Sequence, residues 1–447
     1  MNQTHNTSTK FRAALRKELP LWVQQEILSE EEADRLSTIY QLSSLKEESS
    51  SLLSSVIFTI GGLLLGGGFI SFVAANWEGI SNPLKLALLF SILLGLHITG
   101  FWLWYARGWR RLGHALIFCG CLVFGADIGL VAQIFHIRGN WYGAFGAWAI
   151  GSLAMAWAVR SWIIGLLVLL TSFIWFTGFH SDYEQLALLY PLGIAISLIT
   201  LAWTLRSRVL YTTSLLAIIT ATCFLAGSGG NGSQLLFAMA ASALFIWLLG
   251  QLHRISGWHR EFATPAAALG LSLLAATAYI WSFSGVWRVS PERRTPSLWA
   301  SVFLLLSIAG AFLLLRDKRH SHPGLIIGVL AAGGLLCGSA LLVIMGSAER
   351  ELPYVMIANL AALILAAVMV GTSLIDERRS LFWLGSLYVV LLILTRFLEY
   401  ETSLLVKSAA FLACGVAVIF AGMKYEQYIR RKSTVMEPGR GREVVGE

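Results

Sequence analysis

Charge is what this sequence has least of. Only 13% of its 447 residues are Asp, Glu, Lys or Arg, against about 25% in ordinary soluble domains. Hydrophobic residues make up 56% and the mean hydropathy is +0.69, which excludes a soluble globular chain. Thiol chemistry is scarce too. The five cysteines, Cys119, Cys121, Cys223, Cys337 and Cys414, all fall inside apolar runs, without a CxxC pair or a histidine cluster at ligand spacing. That excludes a disulfide framework and a zinc module, and leaves them as small core residues. No Walker loop, GxSxG elbow or HExxH pair stands in a plausible setting, and Gly66–Gly68 lies within an apolar run instead of following a strand. ATP-driven chemistry and motif-borne hydrolysis are therefore excluded, and no catalytic residue, cofactor or metal is assigned. The loop Asn76–Pro83 is too short to carry the acidic and basic groups that a lipid transferase needs. The net charge of +8 is spread in small groups between apolar runs and forms no continuous patch, which argues against nucleic acid.

What remains is a series of membrane-length runs. They lie near 53–75, 84–105, 113–135, 143–159, 162–179, 186–205, 209–226, 235–252, 265–284, 298–315, 323–346, 354–375, 381–398 and 405–423, each close to the ~20 residues a spanning helix requires. The sequence thus predicts an all-α polytopic protein of about fourteen transmembrane helices over 53–423. Residues 1–52 precede it as a helical module and linker, and a basic tail at 424–447 follows. No cleavable signal precedes the first run, so that run is expected to be a retained span. In the module, two short amphipathic segments lead to a third helix. Ser29 with Glu32 makes a capping-box pattern there, and Ala33, Leu36 and Tyr40 recur on one face. Such a module serves either as a solvated lead-in or as a docking element for a protein partner.

With the amino terminus inside, the cytoplasmic loops receive Arg107, Arg110, Arg111, Arg160, Arg206, Arg208, Arg254, Arg260, Arg316, Lys318, Arg319, Arg378 and Arg379. The external loops receive Lys85, Arg138 and Arg350, plus a discordant group at Arg288, Arg293 and Arg294. By the positive-inside rule both termini are cytoplasmic. The seventeen tryptophans gather at run ends, as an interfacial aromatic belt does.

Polar residues inside these runs are the candidate functional groups. Asp127 lies near the middle of its run, where a carboxylate costs roughly 2.5–3.5 kcal/mol on insertion scales and must face protein or water. Gly125 and Gly129 lie on the other side of that helix, and Gly143, Ala147 and Gly151 stand four apart on the next. These small residues predict an interior helix in a tight antiparallel hairpin. Span arithmetic puts Asp127, Gln133, His136, Asn359, Arg396 and Lys407 in the external half, with His97 just inside the midplane and His114 at a helix end. A candidate polar site follows, made of Asp127, Gln133, His136, Asn359 and Arg396, in which Arg396 is the countercharge of Asp127 in a vestibule open to the outside. The competing reading makes each group a packing or snorkelling residue with a local partner. Gln133, about 240° from Asp127 around the helix, does not share a face with it.

Four segments in order, WVQQEILSEEEA (Trp22–Ala33), FVAANWEGI (Phe72–Ile80), GLVAQIFHI (Gly129–Ile137) and WAIGSLAMAWAVRS (Trp148–Ser161), resemble bacterial membrane proteins of the domain-of-unknown-function 2157 family. The resemblance covers roughly residues 10–180. It implies a bacterial inner-membrane protein with a short cytosolic amino-terminal module, and implies no activity. The expected function is that of a non-enzymatic integral protein that binds or moves a small or amphipathic, lipid-like solute. The alternative is a scaffold or regulator that docks a cytosolic partner through its amino-terminal helices. On the topology, reporter fusions at the amino terminus and after Tyr428 should both read as cytoplasmic. An external signal from one terminus alone would mean an odd number of spans and would undo the depth assignments.

Overall fold

The computed structural model describes residues 15, 18–20, 22–25, 27–40, 79–227, 232–287, 296–316, 323–344, 352–376, 379–399, 408, 411–416, 419–425 and 427. Contacts divide the chain into two units, Met1–Ser91 and Ile92–Glu447. Every regular element among the described residues is helical.

In the first unit, α1 (Glu30–Ile39) starts as its sequence predicts. The Ser29 hydroxyl accepts from the Glu32 backbone N–H at 3.3 Å and donates to the Glu32 carboxylate at 2.9 Å, which also accepts from the Ser29 N–H at 3.0 Å. The backbone N–H of Ser29, then its hydroxyl, hold the Glu32 carboxyl below its ordinary range. What this cap contributes is present above the unfolded pKa of Glu32 and is lost as pH falls through the lowered folded value. Leu15 and Leu19 form a small buried cluster, and Trp22, Leu28, Ala33, Leu36 and Tyr40 pack against it. The predicted face of α1 is therefore the one that packs.

The spans are α2 (Asn82–Tyr105), which runs from the first unit into the second, α3 (Arg110–Ile134), α5 (Trp162–Asp182), α6 (Glu184–Leu205), α7 (Arg208–Gly227), α8 (Gly232–Ser256), α9 (Ala263–Trp281), α10 (Leu298–Arg316), α11 (Pro323–Ile344) and α12 (Leu352–Asp376). Between α3 and α5 stands α4 (Trp141–Ala158), and after α12 comes α13 (Arg379–Glu399). Ten helices among the described residues are long and apolar enough to cross a membrane, against the fourteen expected. The difference has local causes. α4 is helical but diluted by three Trp, one Tyr and three Gly. The apolar stretches Leu381–Arg396 and Phe411–Tyr425 are shorter. The run at 53–75 and the discordant loop at 288–294 lie outside the described residues.

The second unit is built around α8, the most deeply buried of the ten spans. Its middle reads FAMAASALFIW. Small residues on every side let four helices approach, and α8 packs on α7, α9, α10 and α11. Ala238, Ala240, Ala241, Ser242 and Ala243 are fully buried. Against α9 the approach is backbone to backbone. A Cβ on Gly250 would run into the backbone of Ala267, and one on Gly270 into the backbone of Trp247. Without a hydrophobic force between helices in lipid, such close contact is what holds a pair together.

The expected role of the α3–α4 glycines needs correction. Gly125 admits the indole of Trp148 and Gly151 admits the ring of Phe124, while Gly129 and Gly143 have nothing within 4 Å. Trp148 Nε1 also donates to the Cys121 carbonyl at 2.8 Å. The glycines are sockets for aromatic rings and not backbone seams. Nor is α3 interior: with α2 it is among the least buried spans, and it buries one stripe, Gly113, Ile117, Gly120, Cys121, Asp127 and Ile134. Close backbone approach occurs instead between α2 and α3, where a Cβ on Gly113 would lie 2.6 Å from the Gly100 carbonyl oxygen.

Gly250→Val and Gly270→Val should each destabilise the protein in detergent by ~1–3 kcal/mol or more, as overpacking does. Gly334→Val, at a site with open space, serves as control. Wild-type melting for both α8–α9 variants would disprove the close pairing.

Candidate intramembrane sites

The turn after α9 gathers the strongest polar network of the second unit. Ser282 ends the helix, and a short 3-10 turn, Ser284–Trp287, follows. Arg396, one turn from the end of α13, reaches Ser282 twice: Nη1 donates to its carbonyl and Nη2 to its hydroxyl, the latter at 2.8 Å. The same Nη1 is paired with the carboxylate of Glu399, one turn further on. Glu399 in turn accepts from the Ser284 backbone N–H at 2.6 Å and from its hydroxyl at 2.7 Å. Asn359, on α12, donates to the Val355 carbonyl at 2.8 Å and to the Ser282 carbonyl at 3.4 Å. The guanidinium lies 4.4 Å from the centroid of the Phe283 ring. The Arg396 and Glu399 side chains are only 19% and 14% exposed. A pair so far from water is tolerable because both carboxylate oxygens and both Nη groups find partners, with the buried Arg396 Nε alone left over. This arrangement ties α9, α12 and α13 together at one end.

Asn359 and Arg396 are thus brought together. Their meeting point is Ser282, and the partner of Arg396 is Glu399. Asp127 is not among the groups bonded to Arg396. It lies in the buried stripe of α3, which packs on α4 and α5, is 6% exposed, and has a buried Oδ2 without a hydrogen-bond partner. Gln133 and His136 are exposed at the end of α3, His136 with a left-handed backbone (φ 51°), and neither shares a site with Asp127. His97 bonds the Leu93 carbonyl of its own helix at 2.8 Å and fills the space beside Gly120. His114 does the same with Arg110 at 2.9 Å. Lys407 lies outside the described residues.

Two further polar knots went unread in the sequence. At the junction of α4 and α5, Asp182 Oδ2 accepts from Asn140 at 3.0 Å and from the Tyr142 hydroxyl at 2.6 Å. At the far end of α8, His253 bonds the Tyr211 hydroxyl at 3.0 Å and the Trp258 carbonyl at 2.9 Å. A tyrosine near the end of an apolar run gives no signal of such long-range bonds.

A cavity lies elsewhere, among α4, α5 and α6. It is a groove of about 750 Å³ lined chiefly by apolar groups, including Gly143, Ile150, Trp175, Tyr190 and Gly193. Trp175 forms part of its wall because Gly146 makes room for the indole. The few polar groups are quiet: Ser172 donates to the Leu169 carbonyl at 3.2 Å and stands 3.1 Å from the Tyr190 hydroxyl. The helix that forms the outer wall, α6, contains a π-turn at Ala195–Ile199. Ser197 donates to the Gly193 carbonyl at 2.6 Å, and Thr200 bonds the Ile196 carbonyl. These hydroxyls satisfy carbonyls that a widened turn leaves without their usual donors.

Replacing Arg396 by Leu strands the Glu399 carboxylate and should cost about 3–5 kcal/mol, the usual consequence of removing one member of a buried pair. Adding Glu399→Gln should recover part of that loss. Combining Arg396→Leu with Asp127→Asn should be additive, as for separate sites. Unfolding titrations of the two cycles check this, and coupling to Asp127 with none to Glu399 would overturn the pairing.

No curated protein and no solved structure matches the chain. A family model does, over residues 20–165, and its description is "Predicted membrane protein (DUF2157)". The matched stretch contains α1 to α4, including the Ser29 cap, the Trp148 socket and Asp127, and over that stretch the chain is similar to the family of predicted membrane proteins known as domain of unknown function 2157.

Proposed function

We propose that this multi-pass membrane protein is a non-enzymatic lipid-binding protein whose ligand site is the groove among α4, α5 and α6, occupied by an acyl chain of a membrane lipid. The observation that carries the reading is the groove itself. Its volume of about 750 Å³ falls within the ~300–1,000 Å³ of ligand sites. Its lining is apolar and its rim residues Ile150 and Leu189 are exposed on a chain that spans a bilayer. Hydrocarbon is therefore the matching occupant. The exposed Asp182 side of the α4–α5 knot sits where Tyr142 packs edge-on to Phe179, a groove residue, at 6.1 Å, so a polar headgroup would lie at that end.

In this reading the protein lies in a bacterial cytoplasmic membrane with both termini inside. Asp127 is a protonatable group next to the lipid-binding helices and not a transport ion pair with Arg396. Translocation of the bound lipid would need α6 to move against α5, and the widened turn at Ala195–Ile199 favours that helix as the mobile wall. The amino-terminal helices, which leave Ile27 and Ile39 exposed, are the surface for a cytosolic protein partner in the alternative, regulatory reading.

Gly143 and Gly193 have no neighbour within 4 Å of where a Cβ would stand. Leucine at either position fills the groove without striking backbone. In nanodiscs containing a phospholipid with a diazirine on its acyl chain, light should crosslink the wild-type protein preferentially at the segment containing Trp175. Gly143→Leu and Gly193→Leu should reduce that labelling several-fold, with Gly334→Leu unchanged. Even labelling of all lipid-facing helices, indifferent to both substitutions, would rule the groove out.

A further inference from the structure

A tight turn joins α2 to α3. Gly108 takes a left-handed backbone there (φ 70°), and the Trp109 N–H donates to the Leu103 carbonyl at 2.9 Å. A group of rings fixes the start of α3 against the end of α2. The Trp104 ring centroid lies 4.7 Å from that of Tyr105 and 4.2 Å from that of His114, and His114 bonds the Arg110 carbonyl at 2.9 Å. The side chains of the turn are therefore presented from a fixed frame.

Three of those side chains are Arg107, Arg110 and Arg111, all exposed. Three cations in five residues form the densest such group among the described residues, and none of the three makes an ion pair there. Carboxylates are remote. From residue 79 to residue 181 the chain contains one, Asp127, which lies roughly 24 Å along α3 from Arg111 at 1.5 Å per residue and cannot pair with them.

The aromatic residues give the depth of the turn. Trp102, Tyr105 and Trp109 are exposed on the two spans that bury least, and amphipathic rings so placed lie at the level of the lipid headgroups. The Arg107 guanidinium lies 5.0 Å from the centroid of the Trp102 ring, so one cation is already laid along this belt. A basic loop meets the positive-inside rule anywhere in the aqueous layer; here the rings hold the cations at the depth of the phosphates.

We propose that the α2–α3 turn is a binding site for the headgroup of an anionic phospholipid, its phosphate oxygens accepting from Arg107, Arg110 and Arg111. Guanidinium suits the task because its forked N–H groups match two phosphate oxygens at once. Net negative charge separates this ligand from a zwitterionic lipid, whose own ammonium answers its phosphate. The site is distinct from the groove among α4, α5 and α6, and neither reading depends on the other.

The test uses the full chain in a neutral detergent and two probes with the same acyl chains, dioleoyl-phosphatidylglycerol and dioleoyl-phosphatidylcholine. Native mass spectrometry gives their dissociation constants. Wild-type protein should bind the anionic lipid at least about tenfold more tightly, because each basic residue at a membrane surface adds to the attraction of anionic lipid. Arg107→Gln, Arg110→Gln and Arg111→Gln in one chain should abolish the preference. Removing as many charges from other exposed positions, by Arg208→Gln, Arg254→Gln and Arg260→Gln, should leave it intact, as should Gly193→Leu in the groove. A smaller wild-type preference overturns the proposal. So does a preference that survives in the turn variant, or one lost as fully in the control triple or in Gly193→Leu. If the turn variant does not fold, its three single substitutions decide: each should lower the preference several-fold, and wild-type values in all three overturn the proposal.

Discussion

The second unit depends on the contact between α8 and α9. Lipid tails are as apolar as leucine, so helices in a bilayer gain little by hiding side chains from their surroundings, and association rests on dispersion and close fit. Gly250 and Gly270 let two backbones touch, which multiplies atomic contacts along the whole pair. The alanine-rich middle of α8 then offers shallow grooves to α7, α10 and α11. The remaining helices attach at one remove: α12 through α9 and α11, and α13 through α12.

Glycine plays two different parts here, and the difference explains one misreading. Small residues four apart signal that something comes near, but not what. Between α8 and α9 the visitor is backbone. Between α3 and α4 it is an aromatic ring, because Trp148 and Phe124 stand across from Gly125 and Gly151. An aromatic socket holds a pair at ordinary separation and fixes its register, and Trp148 adds a hydrogen bond to the Cys121 carbonyl that specifies rotation as well.

Helix positions were largely legible, since hydropathy over twenty residues is a strong signal and the backbone must satisfy itself within each span. The Ser29 cap was legible because its chemistry is local. Asn359 and Arg396 meet at Ser282. Partnership was not legible. Arg396 and Asp127 share a computed depth, yet which spans are neighbours is decided by packing that periodicity does not encode. Glu399, three residues from Arg396, was the nearer partner all along, and Ser282 supplied the neutral oxygens. The groove was illegible for the same reason, being a property of three helices at once.

The π-turn at Ala195–Ile199 has an arithmetical consequence. One additional residue in a turn offsets everything after it by about 100° relative to an uninterrupted α-helix. Upstream, Tyr190 and Gly193 line the groove while Pro191 and Leu192 line a cavity on another face of the helix; downstream, Trp203 packs against Trp258 and His259. Removing a single residue from this turn would therefore act as a screw, leaving the composition of α6 almost unchanged while swinging its second half away from His259. The length of one turn, and not the identity of any side chain in it, sets which neighbours the second half of the helix meets.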